Sequence, residues 1–170
     1  MEEIVREANL SAGAVYLYYK SKDELILAAI ATYIQKLREL LLPILTREDA
    51  LPPGVFVREL TRAIVSHTQR NDLDLNVVML MVWSEAQSNP KVKELLADAQ
   101  RKYRDALIGV VRNWQERGDI APKGKPASIG KAMLSFFLGF IVQSAMIGGI
   151  DPDTAAKGIE GLISSQSPPR

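Results

Sequence analysis

Apolar side chains recur at three- and four-residue steps along almost the whole of this 170-residue chain, and no stretch keeps the two-residue alternation that a β-strand needs. That spacing restricts the chain to an all-α fold. Leu25, Ile26, Ala29, Ile30, Tyr33, Leu37, Leu40, Leu41 and Ile44 predict one long helix ending near residue 45. Its entry, Ser21-Lys22-Asp23-Glu24, reads as a capping box. The Ser21 hydroxyl should accept the N–H three residues on, and Glu24 should reach back to the Ser21 N–H. Further helices are expected over about 55–69, 73–87, 90–117 and 127–147, with a last one from Asp151-Pro152-Asp153 to about Ser164. Asn89-Pro90 pairs an N-cap with a proline at the first helical position, and Gly118 supplies a C-terminal stop.

Pro52-Pro53-Gly54 closes a first block. The expected organisation is an N-terminal helical unit with its connecting helix over 1–45, a second helical unit over 46–164, and a disordered tail over 165–170. The composition excludes several classes. Lys plus Arg is 21 and Asp plus Glu is 20, so wholesale electrostatic binding to nucleic acid or anionic membrane is out, while a local basic face is not. With no cysteine and one histidine, neither a thiolate nucleophile nor a protein-ligated zinc site is expected, and no cofactor is implied. Met1-Glu2-Glu3-Ile4 does not open a signal peptide, and a cytoplasmic location is expected.

The informative stretch is Ile4 to Leu25: a helix over 2–8, a tight break at Asn9-Leu10, a short helix from Ser11 to Tyr19, then the capped long helix. Two helices joined by a short turn form a helix-turn-helix, whose second helix enters the DNA major groove. Ala12, Gly13 and Ala14 are small enough to let that backbone approach a duplex. Tyr16 and Tyr18 suit phosphates, sugars or bases, Lys22 meets a phosphate by charge, and Ala14 and Val15 match a thymine methyl. Tyr19, next to the break, reads better as a core aromatic.

Ile4-Val5-Arg6-Glu7-Ala8-Asn9-Leu10-Ser11, Gly13-Ala14-Val15-Tyr16 and Tyr18-Tyr19-Lys20-Ser21-Lys22-Asp23-Glu24-Leu25 resemble, at unbroken spacing, the DNA-binding domain of the tetracycline-repressor (TetR) family. By that resemblance Ser11 caps the recognition helix, Tyr16 and Lys22 hold phosphates, and the residues around Gly13 face bases. Asn9 stands where the family usually has a turn glycine, a position that Asn tolerates. Family members also carry a further, basic helix ahead of the position of Met1. Residues 1–25 hold Arg6, Lys20 and Lys22 against Glu2, Glu3, Glu7, Asp23 and Glu24, an acidic balance that by itself disfavours phosphate. The expectation is that Met1 is an internal methionine.

The resemblance implies a ligand-responsive regulator, a repressor of a palindromic operator, with its switch among the central helices. Phe56, His67, Met79, Trp83, Tyr103 and Trp114 lie on apolar stripes of three helices. Singly, each reads as a core residue; together they outline a pocket for a small apolar or aromatic effector. Effector binding would tilt the helix from Ser21 to about Leu45 and change the half-site spacing. Phe136, Phe137, Phe140 and Met146, with Ile159, Leu162 and Ile163, carry more apolar surface than one small bundle hides, and point to a homodimer built on the last two helices. Such a dimer sets two recognition helices about 34–36 Å apart, or a multiple of that step.

Met133–Ile150 is an 18-residue stretch without formal charge, and it raises one rival. Eighteen residues is the short limit for a membrane span, and Ser135, Gln143 and Ser144 weaken that case, so no membrane association is expected. The alternative is a dimeric helical bundle, at a membrane or free of it, in which residues 1–25 are only structural. An enzyme is not expected: there is no nucleophile with a positioned base, and Glu85 beside Trp83 is an isolated acid.

Overall fold

The computed structural model describes residues 12–49, 51–68, 75–148 and 150–164. Seven helices account for them: α1 (Ala12–Tyr18), α2 (Lys22–Leu45), α3 (Pro53–Thr68), α4 (Leu75–Ser88), α5 (Pro90–Arg117), α6 (Pro126–Met146) and α7 (Pro152–Ser164). The helix expected over 2–8, Ser11 and the tail over 165–170 lie outside the described residues.

The caps show why these segments start and stop where they do. At the head of α2, the Glu24 N–H donates to Ser21 Oγ at 3.1 Å, as the capping box requires. The reciprocal bond is displaced by one residue: the Glu24 carboxylate accepts from the Lys20 N–H at 2.7 Å, not from Ser21. Asn89 Oδ1 accepts from the N–H groups of Lys91 and Val92, and Pro90 fills the first helical position of α5. Gly118 ends α5 at φ 79°, where the Asp119 N–H reaches back to the Trp114 carbonyl. Asp151 caps α7 by accepting the N–H groups of Asp153 and Thr154 at 2.9 Å. Glu85 is not a free acid, because its Oε1 accepts from Asn89 Nδ2 across the α4–α5 joint. Helix α3 begins two residues before the apolar stripe suggested, at Pro53.

Helices α2 to α7 form a bundle in which α3 packs on α7, α5 on α6, and α5 also meets α2 and α4. Phe56, Val57, Val92, Leu107, Val111 and Phe140 are fully buried at its centre. Phe56 stands edge-on to Trp114 at 5.2 Å and to Phe137 at 6.3 Å, so one aromatic cluster joins α3, α5 and α6. Thr61, the one buried polar residue of this core among the described residues, returns its hydroxyl to the Val57 carbonyl at 2.7 Å. Arg58 and Arg62 of α3 both reach Asp153 of α7.

Helix α6 is long and apolar enough to cross a membrane by length and composition. It buries Gly130, Phe137, Phe140 and Ile141 inside the bundle and leaves its other positions half-buried or exposed.

Candidate functional site: an exposed N-terminal helix and an interior cavity

Helix α1 turns two tyrosines outward. Tyr16 is 49% exposed and Tyr18 is 74% exposed, with Leu17 between them at 78%. Gly13, Lys20 and Lys22 are exposed as well, so this end presents small, aromatic and basic groups together. Val15 departs from the sequence expectation. Its side chain is buried, so it faces the interior and is not available to meet a thymine methyl. Tyr19 is half-buried, consistent with the packing role expected for it. The side chains of Ala12 and Ala14 lie outside what the structure describes, as does Ser11 altogether.

The same chain that leaves this exposed end becomes a wall of the bundle interior. A cavity of about 70 Å³ lies between α2, α3, α4, α5 and α6. Helix α2 contributes Tyr33, Ile34, Leu37, Leu41 and Leu45 to its wall. Of the residues expected to line an effector pocket, Met79, Trp83 and Tyr103 meet here. The others do not. Phe56 lines no described cavity, because it fills the aromatic cluster with Trp114 and Phe137. Trp114 donates its indole N–H to the Leu51 carbonyl at 2.7 Å and borders a separate pocket between α5, α6 and α7. The side chain of His67 is outside the described residues.

The lining surface is wholly apolar: Tyr33, Trp83, Gln100 and Tyr103 belong to the wall without turning a polar atom into the space. Tyr103 OH and Trp83 Nε1 are buried and have no protein hydrogen-bond partner. Burial pushes the Tyr103 hydroxyl up to about 12, with the nearby Arg38 charge pulling the other way, so it stays protonated and able to donate. Both donors are closed off within the packing and turn no polar surface into the cavity, so the space suits an apolar occupant. Sequence reasoning missed Tyr33, Leu37 and Leu41 as lining residues, because from sequence their apolar stripe belongs to the core.

The expected dimer face divides in two. Phe137 and Phe140 are buried inside the protomer and belong to its core, a correction to the sequence expectation. Phe136, Ile159 and Ile163 are half-buried, while Met146 and Leu162 are each 70% exposed. Their exposed neighbour Ile147 extends that surface. With Met133 and Ile129, several of these residues line a 440 Å³ depression over α6 and α7.

These features define a class: an all-helical transcriptional regulator in which one helix runs from an exposed N-terminal element into a bundle with an interior cavity. The chain belongs to the TetR family of bacterial regulatory proteins. The family model "Bacterial regulatory proteins, tetR family" matches residues 1–29, and the model "BetI-type transcriptional repressor, C-terminal" matches residues 56–166. The HTH-type transcriptional regulator BetI of Rhizobium meliloti is 29% identical over 111 residues, which is 64% of this chain and 52% of that relative. The matched part thus spans about half the length of the curated relative. A TetR transcription regulator from Haloarcula marismortui superposes with a TM-score of 0.75 at 19% identity, covering 96% of this chain and 85% of the other. A transcriptional regulator from Saccharomonospora viridis in complex with choline superposes with a TM-score of 0.71 at 19% identity, covering 97% and 84%.

Proposed function

We propose that this protein is a homodimeric repressor that reads a palindromic operator through α1 and is released when a small effector enters the central cavity. One observation carries the reading: α2 starts at Lys22, beside the exposed Tyr16 and Tyr18, and fifteen to twenty residues later the same helix walls the cavity with Leu37 and Leu41. A rigid helix converts a change of wall packing into a tilt of whatever is attached to its end. A ligand that fits better in one tilt than in the other shifts the population toward it.

Gly13 and Ala14 allow close approach to the groove, with Ser11 and Ala12 at the start of the recognition helix. Tyr16, Tyr18 and Lys22 serve the phosphate backbone. Val15 acts from inside, by packing the recognition helix onto the domain. The exposed parts of α6 and α7, around Phe136, Met146, Ile159, Leu162 and Ile163, form the twofold interface. The protein works in the cytoplasm, where its operator is, and performs no chemistry of its own.

The experiment is a fluorescence-anisotropy titration of DNA from upstream of the protein's own gene, at two salt concentrations. Tight binding that weakens with salt is expected. Replacing Lys22 by Ala should reduce the salt slope by about 1 per protomer engaged, and Tyr16→Ala should weaken binding to all sequences alike. If neither the upstream DNA nor random genomic fragments bind, the repressor reading falls and the non-DNA-binding bundle takes its place.

A further inference from the structure

Helices α6 and α7 are consecutive in the chain, yet each packs on another element: α6 on α5, and α7 on α3. Between them they leave the depression of about 440 Å³, which reaches down to the buried side chains of Val57 and Trp114. Ala132 and Phe136 line it from α6, and Ile159 and Leu162 line it from α7. Its polar side chains are few. Trp114 already donates its N–H to the Leu51 carbonyl, and Lys123 is exposed in the connection between α5 and α6. Small-molecule sites carry a few placed polar groups that orient the ligand. This depression has no such group in its depth, so its occupant is selected by shape and apolar area.

The same two helices supply a matching shape. Leu162, at the edge of the depression, is 70% exposed. Gly158 and Gly161 lie beside it on α7, both exposed, and a Cβ at either would meet nothing within 4 Å. Glycine weakens a helix relative to alanine, and no neighbour within the protomer requires it at either position. Two glycines next to an exposed leucine let another backbone come close while the leucine projects past it. On α6 the exposed residues Ala132 and Ser135 are small as well. A face with both a projecting apolar side chain and an apolar hollow can meet a copy of itself. Under a twofold axis each protomer then fills the hollow of the other.

We propose that in the dimer α7 of one protomer lies across the partner's α6, with Leu162 inserted into the partner's α6–α7 depression beside the partner's Ala132. This rests on α6 and α7 forming the twofold interface, and adds which side chain of one protomer completes which space of the other. Val57 and Trp114 belong to the protomer's own core, so filling the depression completes that core and ties stability to protein concentration. The competing occupant is a lipid surface, which the apolar length of α6 would also suit. Against it, the depression is concave, and a bilayer reaches into a hollow less well than one projecting side chain does.

The chain has no cysteine, so introduced thiols report proximity without background. The full-length variants Ala132→Cys and Leu162→Cys, both at exposed positions, are mixed in equal amounts, allowed to exchange and oxidised without DNA or ligand. A disulfide joining one chain of each variant is expected, in clear excess over the cross-linked dimer that either variant gives alone, because bridging needs Cα atoms within about 7 Å. In a second arm, Ala132→Trp fills the depression from its own side. It should raise the dimer dissociation constant at least about tenfold in sedimentation, while the melting curve of dilute protein shows the protomer still folded. A dimer without the mixed cross-link, or an Ala132→Trp variant that dimerises as the parent does, overturns the insertion and leaves α6 and α7 as a twofold interface of another geometry. A chain that sediments as a monomer at every concentration overturns the insertion and the homodimer together. Pelleting of such a monomer with phosphatidylcholine–phosphatidylglycerol vesicles assigns the face to lipid instead. DNA binding is decided separately by the operator titration.

Discussion

Gly130 of α6 lies directly on the backbone of Ile108 in α5: a Cβ at Gly130 would sit 3.0 Å from the Ile108 nitrogen and 2.6 Å from its Cγ1. The absence of a side chain at this one position sets how closely the two helices cross. Helix α5 also carries Tyr103 and Leu107 into the cavity wall, so the crossing fixes the cavity as well as the core.

Gly130→Ala should therefore destabilise the protein although alanine is the better helix former. The gain in helix propensity is about 1 kcal/mol. Forcing a methyl group against backbone costs about 1–3 kcal/mol, since a backbone cannot rotate away. A lower midpoint in chemical denaturation is expected, and a higher one would show that α5 and α6 separate freely.

Trp114 binds two parts of the chain by different means. Its ring stacks edge-on to Phe56, and its N–H reaches the Leu51 carbonyl in the connection between α2 and α3. Trp114→Phe keeps an aromatic ring but leaves that carbonyl without its donor, at a cost of about 1–3 kcal/mol. Denaturation should report this loss, and proteolysis near residue 51 should speed up if the bond anchors the connection.

Burial separates the phenylalanines of α6 from the residues that can meet a partner. Phe137→Ala should destabilise the protomer by about 3–5 kcal/mol, as for other buried aromatic truncations. Leu162→Glu, on an exposed position, should leave the fold intact and shift the protein toward monomer in sedimentation. A Leu162→Glu variant that sediments as the parent does would remove α7 from the interface.

The Asp151 carboxylate is held below its ordinary value of 3.8, first by the Thr154 N–H, then by the Thr154 hydroxyl and the Asp153 N–H. A carboxylate depressed in the folded state stabilises the fold above its ordinary value, and that contribution disappears as the pH falls through the folded value. Asp151→Ala should accordingly lower the melting temperature near neutral pH and make progressively less difference as the pH falls below 3.8. A gap between the two proteins that stays constant with pH would mean that the cap acts without its charge.

Much of this protein is legible in its sequence, because much of it is local. The three- and four-residue steps from Leu25 to Ile44, the Ser21 cap, Asn89-Pro90 and Gly118 depend on neighbours within one helical turn, and they place the helices to within a few residues. The N-terminal motif is legible for the same reason. What periodicity does not specify is which apolar face meets which. Phe137 and Leu162 look alike as members of a stripe, yet one is in the core and the other is open to solvent. Phe56, Trp83 and Tyr103 all read as aromatics at helical spacing, and only packing puts the last two against an empty space and the first into a solid cluster. Val15 belongs to the same case, a motif residue turned inward by its neighbours. Helix formation and capping are thus written in the sequence because hydrogen bonds and backbone sterics act over four residues. The cavity and the division between core and surface were decided by tertiary structure, because they depend on how side chains far apart in the chain share one volume.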